Sequence, residues 1–155
     1  MLSREVGREA FRQTLGRIRR RHAFRELTWN QFWNAIQAGA GRDLTWFHEQ
    51  WFERAGAPEW HLTWKQKGNR LRGALTQAAP FYRATLEIEV RGRSGQRLTR
   101  RVRAHGARTD FTFPVGFPVR SVMLDPRYLV LRWTPEYRAA AAAEGAARLH
   151  PESKP

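Results

Sequence analysis

The chain has 155 residues, 41% of them hydrophobic, with seven Trp and nine Phe. This length suits one ordinary domain or two small lobes, and so many aromatic residues exclude an intrinsically disordered chain. The formal net charge of +14 is compatible with nucleic acid, an anionic membrane surface or an acidic protein as a partner.

Arginine carries most of this charge, since Lys65, Lys67 and Lys154 are the only lysines among the 28 basic residues. A GC-rich genome would produce the same skew without selection for binding. The absence of cysteine excludes disulfides and thiolate metal sites. The N-terminal sequence does not resemble a signal peptide, and no apolar run approaches the roughly 20 residues of a membrane span. We therefore expect no membrane span, and the cytoplasm is the default compartment.

The first two predicted helices have clear sequence signals. The first covers residues 4–22, with Ser3 as its N-cap and with apolar residues of one face at helical spacing. The second begins at a capping box, in which Thr28 and Gln31 satisfy each other's backbone N–H groups. Gly39 and Gly41 are expected to end it.

A third helix follows, capped by Asp43. Leu44, Phe47 and Trp51 fall on one face of it. Gly56 suits the left-handed position after a helix end, and Pro58 prevents continuation. The third helix is therefore expected to close a helical segment over residues 1–57.

From residue 58 the pattern changes to short segments rich in β-branched and aromatic residues, separated by turn signals. Seven such segments suggest an antiparallel β-sandwich over residues 58–134. They cover residues 60–66, 70–77, 82–90, 97–105, 110–115, 119–125 and 128–133. Residues 135–155 form an Ala-rich tail with few large apolar residues, expected to be helical or disordered. The predicted fold class is α+β, with about three helices followed by a seven-stranded sandwich.

The pair His48-Glu49 is the first half of a zinc-protease signature. That signature needs a second His four residues after the first, so that both reach the metal from one helix face. Phe52 stands at that position instead. We interpret His48-Glu49 as an ordinary pair on a helix surface.

Other catalytic arrangements are also missing from the sequence. The remaining histidines, His22, His61, His105 and His150, lie in four different predicted elements, and no serine lies in a nucleophile elbow. Glu87 and Glu89 alternate onto one strand face and could form a carboxylate pair, although we interpret them as solvent-side residues that counter arginines. No catalytic, cofactor-binding or metal-binding residue is therefore predicted in this chain.

Two basic clusters support a different function, an arginine-rich module that binds nucleic acid or an acidic protein. The predicted strand pair, however, has no interleaved aromatic residue for base stacking, and charge on an edge strand also suppresses aggregation. A solvated edge hairpin is the alternative interpretation. The clusters are Arg17, Arg19, Arg20 and Arg21 on the first helix, and Arg91, Arg93, Arg97, Arg100, Arg101 and Arg103 on the strands.

Residues 4–133 resemble the C-terminal part of the M1-family zinc aminopeptidases, the membrane alanyl aminopeptidase type. The segments that carry the resemblance follow one another in the family's order. The segment from Leu27 to Trp60, with Trp51, Gly56 and Pro58, resembles the end of the family's catalytic domain. The other segments that carry the resemblance are GREAFRQTLGRIRRRH, LRGALTQAAPFYRATLEIEV, and FPVRSVMLDPRYLVLRW with its Leu124-Asp125-Pro126.

The resemblance implies a structural role for this chain. The family's zinc motif, His-Glu-x-x-His with a later Glu, and its Gly-x-Met-x-Asn motif do not occur here and would precede residue 1. We therefore expect a C-terminal fragment, a split gene product or a truncated reading frame. The zinc, the cofactor of the parent family, would be held by a catalytic domain that partners this chain in cis or in trans.

Four tryptophans are predicted to contact that catalytic domain: Trp29, Trp33, Trp46 and Trp51. Short helices are marginal alone, and these rings exceed what three helices readily cover. The alternatives that stay open are the arginine-rich binding module and a stand-alone enzyme with an unfamiliar site.

Overall fold

The computed structural model describes residues 1–137 and 139. Two compact units divide the chain, one spanning Met1–Ala55 and the other beginning at Gly56. The boundaries predicted at residues 57 and 134 stay predictions. The Ala-rich tail predicted over 135–155 falls almost entirely outside the described residues.

The helical unit begins with two helices, α1 (Leu2–Val6) and α2 (Arg8–Arg21). The prediction of one helix over residues 4–22 is therefore wrong. Gly7 lies between them with φ 97°, a conformation that a continuous α-helix cannot contain. Ser3 consequently lies inside α1 and caps nothing.

Helix α3 spans Trp29–Ala40 and confirms the predicted capping box. The Gln31 N–H donates to Thr28 Oγ1, and the Thr28 N–H donates to Gln31 Oε1. Gly41 ends the helix in the left-handed conformation, with φ 63°. Gly39 does not end it and lies within the last turn.

The third predicted helix is α4 (Thr45–His48), which continues directly as a π-helical turn, Glu49–Glu53. Asp43 Oδ1 accepts from the Thr45 N–H at 2.8 Å. The Arg54 N–H closes the π-turn on the Glu49 carbonyl at 3.1 Å. The sequence had suggested Gly56 as the left-handed C′ residue of this helix. The C-cap is instead Arg54, so Gly56 lies beyond the helix end.

Trp33, Ile36, Leu44 and Phe47 form the core of the helical unit. Helices α2 and α3 touch where Gly39 faces the buried Thr14, and a Cβ on Gly39 would lie 1.9 Å from Thr14 Oγ1. Gly39 is thus required for this close approach of the two helices.

The described residues of the second unit form six strands in two antiparallel sheets, ordered β1-β2-β5 and β4-β3-β6. This confirms the α+β class and the sandwich-like arrangement, with one strand fewer than predicted. The strands are β1 (His61–Lys67), β2 (Arg70–Thr76), β3 (Ala84–Gly92), β4 (Arg97–Ala104), β5 (Arg108–Pro114) and β6 (Val119–Leu124).

The segment 128–133, predicted as the seventh strand, joins neither sheet. Asp125 and Tyr128 have φ values of 42° and 50°, so the chain turns after β6 instead of forming another hairpin. The Val130 N–H donates to Asp125 Oδ2 at 2.9 Å, and the Trp133 N–H to the Pro58 carbonyl at 2.8 Å. These hydrogen bonds hold the segment 128–133 in place of the strand-to-strand hydrogen bonds that a seventh strand would have formed.

Leu86, Ile88 and Val90 of β3 are fully buried and confirm the predicted alternation on that strand. In the other sheet, Gly73 pairs with Phe111, whose ring covers the space where a Cβ would stand. Among the described residues, no helix is both long and apolar enough to cross a membrane.

Candidate functional site

His48 lies at the junction of α4 and the π-helical turn, among aromatic rings. Its ring centroid is 4.9 Å from that of Trp33, 5.6 Å from Phe52 and 5.8 Å from Trp29. Only 20% of the His48 side chain is exposed. The residue that the sequence placed on a helix surface therefore lies at the edge of an aromatic cluster.

Both nitrogens of the His48 ring have partners. The Trp29 Nε1–H donates to His48 Nε2 at 2.8 Å, and His48 Nδ1 is 3.0 Å from Glu53 Oε1. An acceptor role at Nε2 places the proton of the neutral ring on Nδ1, which then donates to the Glu53 carboxylate. With one lone pair occupied and the other nitrogen protonated, His48 is not arranged to ligate a metal.

The described residues contain no group of three or more His, Cys, Asp or Glu side chains that could hold a metal ion. A zinc site needs at least three protein ligands. These residues thus do not fit the zinc that the family resemblance implies for a whole aminopeptidase. The prediction that this chain binds no metal awaits a measurement of its zinc content.

We call Trp29, Trp33, His48 and Phe52 the aromatic patch. Trp29 and Phe52 pack at 5.0 Å between centroids, yet they remain 45% and 50% exposed. Trp33 is only 8% exposed and connects the patch to the core. Large rings held in place by a hydrogen-bonded His and left half in water are typical of a contact surface.

The four tryptophans predicted as contacts fall into two pairs by their ring contacts. Trp29 and Trp33 lie in the aromatic patch, 6.3 Å apart. Trp46 and Trp51 are partly buried and both pack on Phe47, at 5.5 and 6.3 Å. Whether they contact a catalytic domain stays a prediction.

Sequence reasoning missed Phe52 as a surface contact, because it considered that position only as the place of an absent second His. Phe52 follows His48 by four residues, so the two rings share a helix face, and they stack at 5.6 Å. The same spacing that was used to reject a zinc site could therefore have identified an aromatic pair.

Glu87 and Glu89 are both paired with arginines, as predicted, but the prediction that Glu87 lies on the solvent side is wrong. Glu87 is 2% exposed and is bound by Arg127, with Arg101 at 3.7 Å. Glu89 accepts from Arg91 Nε at 2.5 Å. Arg127 follows β6 and covers the Glu87 carboxylate, a long-range contact that no local pattern indicates.

The helical basic cluster lies on α2, and the other cluster lies on β3, β4 and the turn between them. Arg100, Arg101 and Arg103 are exposed on β4, an edge strand of its sheet. Across the neighbouring turn, the Arg108 guanidinium lowers the pKa of Asp110 by hydrogen bonding to its carboxylate. The helical cluster ends α2, where positive charge also complements the helix dipole.

No family model matches the chain. The chain is 34% identical over 77 residues to Tricorn protease-interacting factor F2 of Thermoplasma volcanium, a match that covers 50% of this chain and 9% of that protein. The matched residues therefore span less than a tenth of this relative's length.

The fold is similar to that of aminopeptidase A of Legionella pneumophila, crystallised in complex with aspartic acid. The TM-score is 0.64 at 17% identity, and the match covers 77% of this chain and 15% of that one. At this identity the similarity establishes the fold alone. Most of the chain thus has the fold of one part of an aminopeptidase chain.

Proposed function

We propose that this chain is a non-catalytic C-terminal portion of an M1-type metallo-aminopeptidase, which provides structural support to a zinc catalytic domain that the chain does not contain. The observation that carries the proposal is the fold similarity to aminopeptidase A. It covers 77% of the chain, more than either unit alone, and therefore includes residues of both.

The sequence supports the non-catalytic part of this proposal. The only His-Glu pair lacks the second His, and the nitrogens of His48 are engaged by Trp29 and Glu53. The described residues contain no group of His, Cys, Asp or Glu that could hold a metal ion, so we assign no step of peptide hydrolysis to them.

The aromatic patch is the surface proposed to meet the catalytic domain. Burying a large apolar side chain contributes about 1.5–3 kcal/mol, so covering Trp29 and Phe52 would contribute substantially to association. The name of factor F2 describes a protein that interacts with a protease, which supports a partner that is itself a peptidase. That partner would be supplied in cis or in trans.

Affinity purification from the native cells, with an antibody against this chain, tests the proposal. We expect the antibody to recover either a longer polypeptide with a His-Glu-x-x-His motif or a separate protein that carries this motif in equal amount. Recovery of this chain at its own mass, without any protein that carries the motif, would contradict the proposal.

Single variants test the surface when the partner is separate. Phe52→Ser and Tyr128→Ser each remove one exposed aromatic ring, 50% and 60% exposed. Only Phe52 belongs to the aromatic patch, so Phe52→Ser should weaken recovery of the partner while Tyr128→Ser leaves it unchanged. Equal effects of the two variants would exclude the patch as the contact surface.

A further inference from the structure

A groove of about 610 Å³ runs between α2 and α3 within the helical unit. On the α2 side it is lined by Arg17, Ile18 and Arg21, and on the α3 side by Asn34, Ala35 and Ala38. The volume is within the usual range of ligand pockets, about 300–1,000 Å³. The lining thus combines two guanidinium groups with apolar Ile18, Ala35 and Ala38 and with the polar side chains of Thr14, His22, Gln31 and Asn34.

Three arginines of α2 form no ion pair with an acidic side chain among the described residues. Arg12 pairs with Glu9, whereas none of Arg17, Arg20 and Arg21 forms an ion pair with an acidic side chain of the described residues. Arg17 Nη2 donates to Thr14 Oγ1 at 2.8 Å, which fixes this guanidinium on the groove wall. The remaining N–H groups of Arg17 are suited to a carboxylate.

The spacing of the cations is that of one helical turn. Arg17 and Arg21 are four residues apart on α2, which brings their Cβ atoms to about 5–6 Å. Carboxylates one turn apart on a second helix have the same spacing. Ile18, Ala35 and Ala38 offer an apolar surface on which an aliphatic side chain of that helix can pack.

We propose that the groove between α2 and α3 binds an acidic amphipathic helix of a partner protein, with carboxylates on Arg17 and Arg21 and an aliphatic side chain on Ala35 and Ala38. Of the side chains in the lining, His22 alone offers a ring on which a base could stack, and this favours a peptide over single-stranded nucleic acid. The groove shares no lining residue with the aromatic patch, and this proposal does not depend on the proposed aminopeptidase role.

The test uses the full chain and a short fluorescein-labelled peptide, designed as a helix with glutamates one turn apart beside leucines. Fluorescence anisotropy measures its binding at low and moderate salt. We expect binding that weakens with salt, and at least about tenfold weaker binding by the variant Arg17→Gln/Arg21→Gln, because two charge-assisted contacts are lost.

A matched control removes the same charge elsewhere on α2. Arg8 and Arg19 are exposed on the same helix and do not line the groove. The variant Arg8→Gln/Arg19→Gln should therefore bind the peptide within about twofold of the unchanged chain, as screened surface charges do. Equal weakening by both variants would mean a non-specific response to net charge and would overturn the proposal.

Two further measurements keep the test decisive if an arginine variant fails to fold. Ala38→Phe fills the groove without any change in charge and should abolish binding. In the unchanged chain, the peptide should shift the NMR signals of Ala35, Ala38 and Arg17 Nε. No peptide binding, or binding of a single-stranded oligonucleotide in place of the peptide, would also overturn the proposal.

Discussion

Two helical glycines in the helical unit are in very different surroundings. Gly39 of α3 is packed against Thr14, so that a Cβ at this position would lie only 1.9 Å from Thr14 Oγ1 and 3.0 Å from Thr14 Cβ. Gly16 of α2 has only Arg20 Nη1 nearby, at 3.6 Å. The same substitution should therefore have opposite effects at the two positions.

Gly39→Ala should lower the free energy of unfolding by about 1–3 kcal/mol, because overpacking forces α2 and α3 apart. Gly16→Ala should raise it by about 0.5–1 kcal/mol, because Ala has the better helix propensity and nothing rigid obstructs its methyl group. Urea unfolding followed by Trp fluorescence measures both. A neutral or stabilising Gly39→Ala would contradict the close contact.

The hydrogen bonds of His48 predict its tautomer. Because Trp29 donates to Nε2, the neutral ring should carry its proton on Nδ1. Long-range ¹H–¹⁵N NMR correlations distinguish the two tautomers, and His61, an exposed strand residue, provides the comparison within the same sample. An Nε2–H tautomer at His48 would refute the arrangement, and displacement of its signals by added zinc would show that the ring can ligate metal after all.

At the residue scale, the sequence itself shows that position 52 is Phe and that the His-Glu-x-x-His motif is incomplete. The absence of a metal site stays a prediction. The Trp29–His48 hydrogen bond joins residues 19 apart, and the cover of Glu87 comes from Arg127, 40 residues away. Contacts over such separations follow from the tertiary fold and have no local signal.

At the scale of elements, the ion pair of Glu87 connects β3 to the turn after β6. Arg127 donates to Glu87 Oε2 through Nε at 3.2 Å and also through Nη2. The carboxylate is 2% exposed and the guanidinium side chain 64% exposed. The two partners should therefore respond differently when the other is removed.

Glu87→Gln should lower the free energy of unfolding by about 1–3 kcal/mol, since a charged hydrogen bond is replaced by a neutral one and Arg127 can return to water. Arg127→Gln should be the more harmful change, because the buried Glu87 carboxylate then loses the guanidinium that is hydrogen-bonded to it. Urea unfolding of the two variants measures the difference.

Arg108→Gln, at an exposed ion pair, serves as the control and should change stability least. The reverse order of Glu87→Gln and Arg127→Gln would contradict this burial pattern.

Elements with signals in adjacent residues could be predicted well. The capping box at Thr28 and Gln31 located the start of α3, and alternation located β3. Gly7 was overlooked, although its φ of 97° separates α1 from α2. The prediction of a seventh strand was wrong because the chain turns at Asp125, whose carboxylate accepts from the Val130 N–H. The segment after the turn therefore pairs with neither sheet, although its residues favour β-structure.

At the scale of the whole molecule, composition and pattern sufficed for the α+β class. They could not indicate which aromatic rings stay exposed, since exposure depends on packing across elements. Trp33 is 8% exposed and Trp29 45%, although both were grouped as contacts.

The proposed function requires that this chain supports an aminopeptidase without performing its chemistry. Two measurements on the same purified full-length sample address this together: zinc by elemental analysis, and hydrolysis of aminoacyl-coumarin substrates with zinc added. We expect zinc far below one ion per chain and no hydrolysis above background. Stoichiometric zinc together with hydrolysis would contradict the proposed function.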